Sequence, residues 1–501
     1  MSDDGEVMAE EITRRSALGC LGAVAIAPSL VVSGCGTTES GTSLAADVRQ
    51  LVRSPVFARG EQGYEEARLN IWCANVPDRF PVAIIRARSA ADVSAAIRYA
   101  QRNGLRVAIR GGGHNWSAAS LRDNALMIDV GGMSGLEIDP DRRVAFVEPG
   151  VSGGHLFQSA ADLGLTFPVA HCPSVPMSGF LLNGGYGFNA GEWGPSALLI
   201  EAVEIVTPSG DIIEASERNH ADLFWALRGA GPSFFGVVTR FQLRLLPIPK
   251  AVHATTYIFP LESTNEVTAG LDAICDEAPD SVELTFLAAA GAGPPSAPAI
   301  GIVSALAFRD DEIDARRDLG FLDGFAVASE PIMAERAVPT DWPTLFESVA
   351  ALFPPKLNYL GNTIWTDAPV TDLYTPYAEH LQRAPTPHCF SNCVIYPRGF
   401  AERVRNYDAA LSMQGRILSL QYAIWDDPSE AAANAEWFDA STALFQRHAN
   451  GHYIGETDLN RYPEFARGSY SEDAWGRLSQ LRLEHDPDRR FFDFLGQDDA
   501  A

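Results

Sequence analysis

An α+β fold in two parts is predicted for this 501-residue chain: a cofactor-cradling part, then an antiparallel sheet covered by helices. Three observations carry the prediction. Residues 76–248 alternate short apolar strands with helices and hold three glycine clusters. Residues 249–450, after a break at Pro247 and Pro249, alternate strands with longer helices. Residues 451–501 read as a return to the first part. The length allows two or three domains.

Element by element, the N-terminus comes first. Thr13-Arg14-Arg15-Ser16-Ala17-Leu18 is a twin-arginine pair, the run Leu18 to Val32 is small and apolar, and Val32-Ser33-Gly34-Cys35 resembles a lipoprotein processing box. Residues 1–35 are therefore expected to be an export signal, with Cys35 a candidate lipid anchor and a periplasmic or extracellular destination. Ala17 stands where Phe is usual. Residues 36–75 read as an exposed lead-in plus one helix. Asp92 is taken as the cap of a helix with apolar residues at 93, 96, 97 and 100. Strands follow at Leu105 to Ile109 and Leu126 to Val130, and 136–138 is expected to pair with 144–147 across Asp139-Pro140-Asp141. A helix near 154–163, strands at 201–206, 211–214 and 236–245, and a helix at 221–228 complete the first part.

In the second part, helices at about 265–277, 311–323 and 431–449 separate strands near 283–288, 300–308, 389–396 and 417–424. Gly291 to Pro298 reads as a loop. That alternation predicts helices on one face of an antiparallel sheet. The tail adds a helix at 472–484 before Asp486-Pro487-Asp488.

Composition narrows the partners. Against 38 Lys and Arg stand 64 Asp and Glu, a net charge of −26. Such a surface excludes nucleic acid as a natural partner. No later run is apolar for the ~18 residues a membrane span needs. Of seven cysteines, Cys20 and Cys35 lie in the signal. Cys389 and Cys393 lie ~13 Å apart along one strand, too far to pair directly. No metal-ligand spacing is present, and nothing indicates the oligomeric state.

The chemistry concentrates in glycine-rich segments. Arg110-Gly111-Gly112-Gly113-His114-Asn115 follows an apolar strand. Such a loop lets backbone N–H groups converge on an anion with no Cβ in the way. It is neither a dinucleotide fingerprint nor a P-loop, and a tight structural turn would read the same. His171-Cys172-Pro173-Ser174-Val175 supplies a second nucleophile. Gly179, Gly184 and Gly185 form the next cluster, ahead of Tyr186, and Gly229 to Val238, including Gly236, forms a third. Three clusters imply backbone packed along an extended planar ligand. His171 reads as polar lining or as a local structural hydrogen bond.

These motifs, in this order, resemble the FAD-binding domain of the vanillyl-alcohol-oxidase/PCMH superfamily, and among its members the berberine-bridge-enzyme-like oxidases. The resemblance implies a two-part PCMH-type FAD-binding domain and a separate substrate domain. It implies cofactor contacts from Arg110, Gly111, Gly112, Gly113, His114, Asn115, Cys172, Val175, Gly179, Gly184, Gly185, Gly236 and Val238. It also implies that FAD is attached twice, His114 to the flavin 8-methyl carbon and Cys172 to C6. Imidazole and thiolate are suitable nucleophiles for those electrophilic positions. Val175 accompanies oxygen reactivity in that family, although Pro176 replaces its usual Gly.

Tyr186 matches a family active-site tyrosine, and Gln421 matches a strand glutamine lining the substrate pocket. The family's C-terminal Tyr-x-Asn-Tyr reads Tyr453-Ile454-Gly455-Glu456 here, so Glu456 stands where the base tyrosine is expected. A carboxylate, with a pKa of ~4.3 against ~10 for a phenol, is already ionised near neutrality. Glu456 or Tyr186 is the expected base, with Tyr453 assisting; a solvated or substrate-binding role for Glu456 reads equally well. Ala474-Trp475 replaces a common Asn-Tyr. The expected activity is oxidation of a C–OH group on a small molecule (a sugar hemiacetal, an alcohol or a secondary metabolite), with O2 reduced to H2O2. A dehydrogenase of the same fold and a non-catalytic flavin-binding lipoprotein are the alternatives.

Overall fold

The computed structural model describes residues 46–291 and 298–496. The twin-arginine segment, Cys35 and most of the Gly291 to Pro298 loop lie outside the described residues.

Four short strands build the first sheet: β1 (Val56–Ala58), β2 (Ala83–Arg86), β3 (Val107–Arg110) and β4 (Leu126–Asp129), in the order β1-β2-β4-β3. β2 and β3 flank β4 in parallel, as strand–helix–strand alternation requires. β1 lies in the segment expected to be an exposed lead-in, yet it pairs antiparallel with β2. The helix Ala90–Arg102 is capped by Ser89, whose side chain accepts from the Asp92 N–H. Asp92 is therefore not the cap. Its carboxylate accepts instead from Ser54 and the Arg53 N–H, tying down the lead-in.

The second sheet contains β5 (Leu136–Asp139), β6 (Val144–Val147), β8 (Ile200–Val206), β9 (Ile212–Ser216) and β10 (Val237–Arg244), ordered β5-β6-β10-β8-β9. β5 pairs with β6 as the Asp139-Pro140-Asp141 turn predicted. Outside this sheet, β7 (Leu165–Thr166) pairs with β11 (Leu246–Pro247), which follows β10.

The third sheet is antiparallel throughout: β12 (Ala251–Pro260), β13 (Val282–Ala289), β14 (Ile300–Arg309), β15 (Met333–Thr340), β16 (Asn358–Thr366), β17 (Phe390–Ile395) and β18 (Ile417–Trp425), ordered β15-β12-β14-β13-β17-β18-β16. Strand alternation divides its side chains. One face packs Phe286, Ile417 and Ala423 under the helices Thr264–Ile274, Val370–Leu381 and Ala431–Gln446. The other turns Trp365, Phe390, Leu418, Leu420 and Tyr422 toward Tyr186, Tyr453 and the glycine-loop side of the molecule. The helices thus cover one face of the sheet, as expected, and leave the other for the site. The C-terminal segment returns to the first sheet, where Phe491 bridges Val107 in parallel.

Candidate active site

A cavity of about 920 Å³ runs between the two smaller sheets and on to the uncovered face of the third. Its first wall is the loop after β3. Here the glycines are required by contact. A Cβ on Gly111 would run into the Ser178 side chain, and one on Gly112 into Pro176. Gly113 adopts φ +68°, and a Cβ there would stand 2.7 Å from the Asn70 carbonyl oxygen. The loop can therefore press its backbone along a flat ligand. Arg110, next to these glycines, also lines the cavity. It is 1% exposed and donates to Asp129 at 2.7 Å, so it braces the loop.

His114 lines the cavity, with Trp72 stacked on its ring at 5.4 Å and the Ser174 backbone hydrogen-bonded to it. Burial pulls the imidazole down to about 4, the Ser174 contact opposing, so the ring is neutral and nucleophilic near pH 7. Ser174 belongs to the loop that carries Cys172, whose thiol lies 3.3 Å from the Ser174 hydroxyl. Both predicted nucleophiles thus touch Ser174 and line the same cavity. Val175 donates its N–H to the Cys172 carbonyl at 3.2 Å, and its side of the loop also faces the cavity. Asn115, Gly179, Gly236 and Val238 line the same space. Gly184 and Gly185 do not; with φ of 104° and 72° they turn the chain ahead of Tyr186, packing on Leu411 and Phe180.

Buried hydroxyl and amide groups without partners test whether FAD fits. The Ser178 hydroxyl and the Asn183 carbonyl oxygen are buried, line the cavity and have no hydrogen-bond partner in the protein. Native proteins seldom leave such groups unmet. A planar heteroaromatic ring system rich in carbonyl and ring-nitrogen groups meets these needs along a glycine-lined cradle, so the residues fit the cofactor.

At the other end, Glu456 accepts a hydrogen bond from the Tyr422 hydroxyl of β18. Burial pushes the Glu456 carboxyl above its usual range, while Tyr422 and the nearby His171 pull it back. Tyr186 and Tyr453 meet edge to face at 5.1 Å, and burial raises both phenols further above their ordinary value. Of the expected bases, Glu456 is the one that ionises readily.

His171 faces the cavity with Nε2 3.0 Å from Glu283 of β13, whose other oxygen accepts from the Asn189 N–H at 3.0 Å. This pair joins the Cys172 loop to the third sheet, and the Glu283 charge raises His171 against its burial. Neither Glu283 nor Tyr422 was singled out from sequence. A lone carboxylate within the apolar run of β13 was the available signal for the first. Gln421 is a correction. It faces away from the cavity, its amide donating to Ser419 on the helix-covered side, while Leu418, Leu420 and Tyr422 line the site. Sequence alternation rightly put Gln421 and Ser419 on one face, but it was the other face that met the cavity.

The remaining cysteines, Cys73, Cys275, Cys389 and Cys393, are free buried thiols. Among the described residues there is no metal-binding cluster and no helix long and apolar enough to cross a membrane.

Comparison with known proteins follows the same lines. Residues 81–216 match the FAD binding domain family. The chain is 28% identical over 434 residues to the FAD-linked oxidoreductase janO of Penicillium janthinellum, covering 85% of this chain and 94% of that protein. It is 35% identical over 228 residues to (R)-6-hydroxynicotine oxidase of Paenarthrobacter nicotinovorans, 44% of this chain and 49% of that one. The structure of Physcomitrella patens BBE-like 1 superposes with a TM-score of 0.78 at 19% identity, over 90% of this chain and 98% of that chain. Cradle, sequence match and fold agree: the chain carries an FAD binding domain, is similar over most of its length to FAD-linked oxidoreductases, and shares the fold of BBE-like proteins.

Proposed function

We propose that this oxidoreductase removes a hydride from a C–OH carbon of a small molecule, with Glu456 as the base, FAD held covalently by His114 and Cys172, and O2 as electron acceptor. Bound flavin supplies a two-electron acceptor for the hydride. The chain's own residues do the rest. Glu456 takes the hydroxyl proton at its carboxylate; Tyr422 fixes that carboxylate by its hydrogen bond. Tyr186, Tyr453 and Phe390 wall the space and exclude water. The neutral His114 imidazole and the Cys172 thiol, facing the cavity from adjoining loops, support attachment at two points. Val175 leaves a small side chain beside them, which supports access for oxygen. The twin-arginine segment supports export after the cofactor has been captured, with Cys35 as the lipidated residue.

The observation that carries this reading is the Tyr422–Glu456 pair in a cavity that also presents His114 and Cys172. A panel of alcohols, lactols and glycosides, mixed anaerobically with the protein in a stopped-flow spectrometer, tests it. Bleaching of the flavin absorbance by a member of the panel, followed by rapid recovery on admitting oxygen with H2O2 formed, is expected. Bleaching with slow reoxidation would assign a dehydrogenase, and a flavin that no compound bleaches would refute the catalytic reading.

A further inference from the structure

We propose that Arg122, backed by Arg79 and Arg106, is the cation that receives the diphosphate of FAD. In a chain of net charge −26, three guanidinium groups from separate segments lie close enough for the charges of Arg79 and Arg106 to act on Arg122, and Arg106 and Arg122 share the Phe492 ring. Arg122 lines the cavity seven residues beyond Asn115 of the glycine loop. Its Nε is buried with no hydrogen-bond partner in the protein. Its guanidinium lies 5.3 Å from the Phe494 ring and 5.9 Å from Phe492, so aromatic faces hold it while its N–H edge stays available.

The surrounding charges agree. Arg79 also has a buried nitrogen, Nη1, with no partner, and its Nη2 donates to Asn460 at 3.3 Å. Arg106 is fixed by the carbonyls of Arg489 and Phe491, both at 3.1 Å. Burial first, then the charges of Arg79 and Arg106, draw Arg122 down to about 10, with Asp493 opposing. A guanidinium crowded by like charge is stabilised by any anion that reaches it. Arg110, the other arginine of the cavity wall, also has a buried Nε without a partner, but its charge is already neutralised by Asp129 at 2.7 Å. A diphosphate, doubly anionic and rich in acceptor oxygens, supplies what Arg122 lacks. His114 and Cys172 would then hold the ring end of the cofactor and Arg122 its phosphate end.

The inference rests on FAD as the cofactor and not on covalent attachment, so its test removes both nucleophiles. The full-length His114→Ala/Cys172→Ala chain is stripped of flavin and titrated with FAD and with riboflavin, which lacks the diphosphate, at low and high salt. Adding Arg122→Met should weaken FAD by about tenfold or more, flatten its salt dependence and leave riboflavin unchanged. Arg122→Lys should recover most of the loss, and Arg79→Met should show a smaller one. FAD affinity within about twofold of the parent, equal losses for FAD and riboflavin, or Lys no better than Met would overturn the assignment. Should Arg122→Met not fold, Arg122→Gln, which keeps a polar side chain but no charge, carries the same comparison between FAD and riboflavin. Covalent attachment is read separately, from whether the parent chain releases its flavin on denaturation.

Discussion

The two walls of the cavity are built on different principles. The cofactor wall is local and made largely of backbone: the Arg110 to Asn115 loop, the Cys172 to Val175 loop and the segment from Ser178 to Asn183 each act as a short local stretch. The substrate wall is assembled from side chains far apart in sequence. Tyr422 reaches Glu456 across 34 residues, and His171 reaches Glu283 across 112. A backbone cradle tolerates almost no added atom, whereas a side-chain wall can exchange groups and change its substrate. Damage to the first wall should therefore cost the cofactor, and damage to the second should cost only chemistry.

The most drastic test of that contrast is Gly112→Val. The new side chain collides with Pro176, so the purified protein should carry little or no flavin by absorbance. Full flavin content would mean that the cradle is not tight. Glu456→Gln should keep its flavin and slow anaerobic reduction by substrate about 10²–10⁴-fold, the usual contribution of a general base. An unchanged reduction rate would remove Glu456 from the mechanism.

A pH profile separates the His171–Glu283 pair from mere packing. Glu456 works as its carboxylate, and its raised pKa places the acid limb of the reduction rate above the ordinary carboxylate range. The Glu283 charge keeps His171 protonated to higher pH, and that positive charge holds Glu456 down. Exchanging His171 for Gln should therefore move the acid limb to higher pH, whereas an unmoved limb would mean that the charge does not reach Glu456. The smallest effect belongs to Gln421→Ala. Its side chain lies under the helices, so kcat should stay within about twofold while thermal stability falls by roughly 1–2 kcal/mol. A large loss of kcat would put Gln421 back in the site.

The same contrast governs what could be read from sequence. The glycine loop, His114, Cys172 and Val175 were legible because each cofactor-wall element is contiguous, and a run of glycines is rare without a close approach. On the substrate side, Glu456 and Tyr453 were legible as residues, but their partners were not. Tyr422 and Glu283 acquire their roles only when β18 and β13 are placed, and one residue of alternation separates Tyr422 from Gln421. Several elements were missed for local reasons. The helix Val370–Leu381 contains Pro376, which reads as a breaker. β16 carries Gly361, Asn358 and Asn362, residues poor in strand preference, and is stabilised by its full pairing with β18. Ser89 is hard to tell from Asp92 as the cap, because both residue types carry the same capping signature within one turn.

Intact-mass spectrometry of the denatured chain tests the cofactor wall most directly, comparing wild type with His114→Ala, Cys172→Ala and the double variant. Attachment at two points predicts a mass raised by one FAD in the wild type and in each single variant, and the bare chain in the double. A wild-type chain without the added mass, or flavin lost from both singles, would contradict attachment at two points.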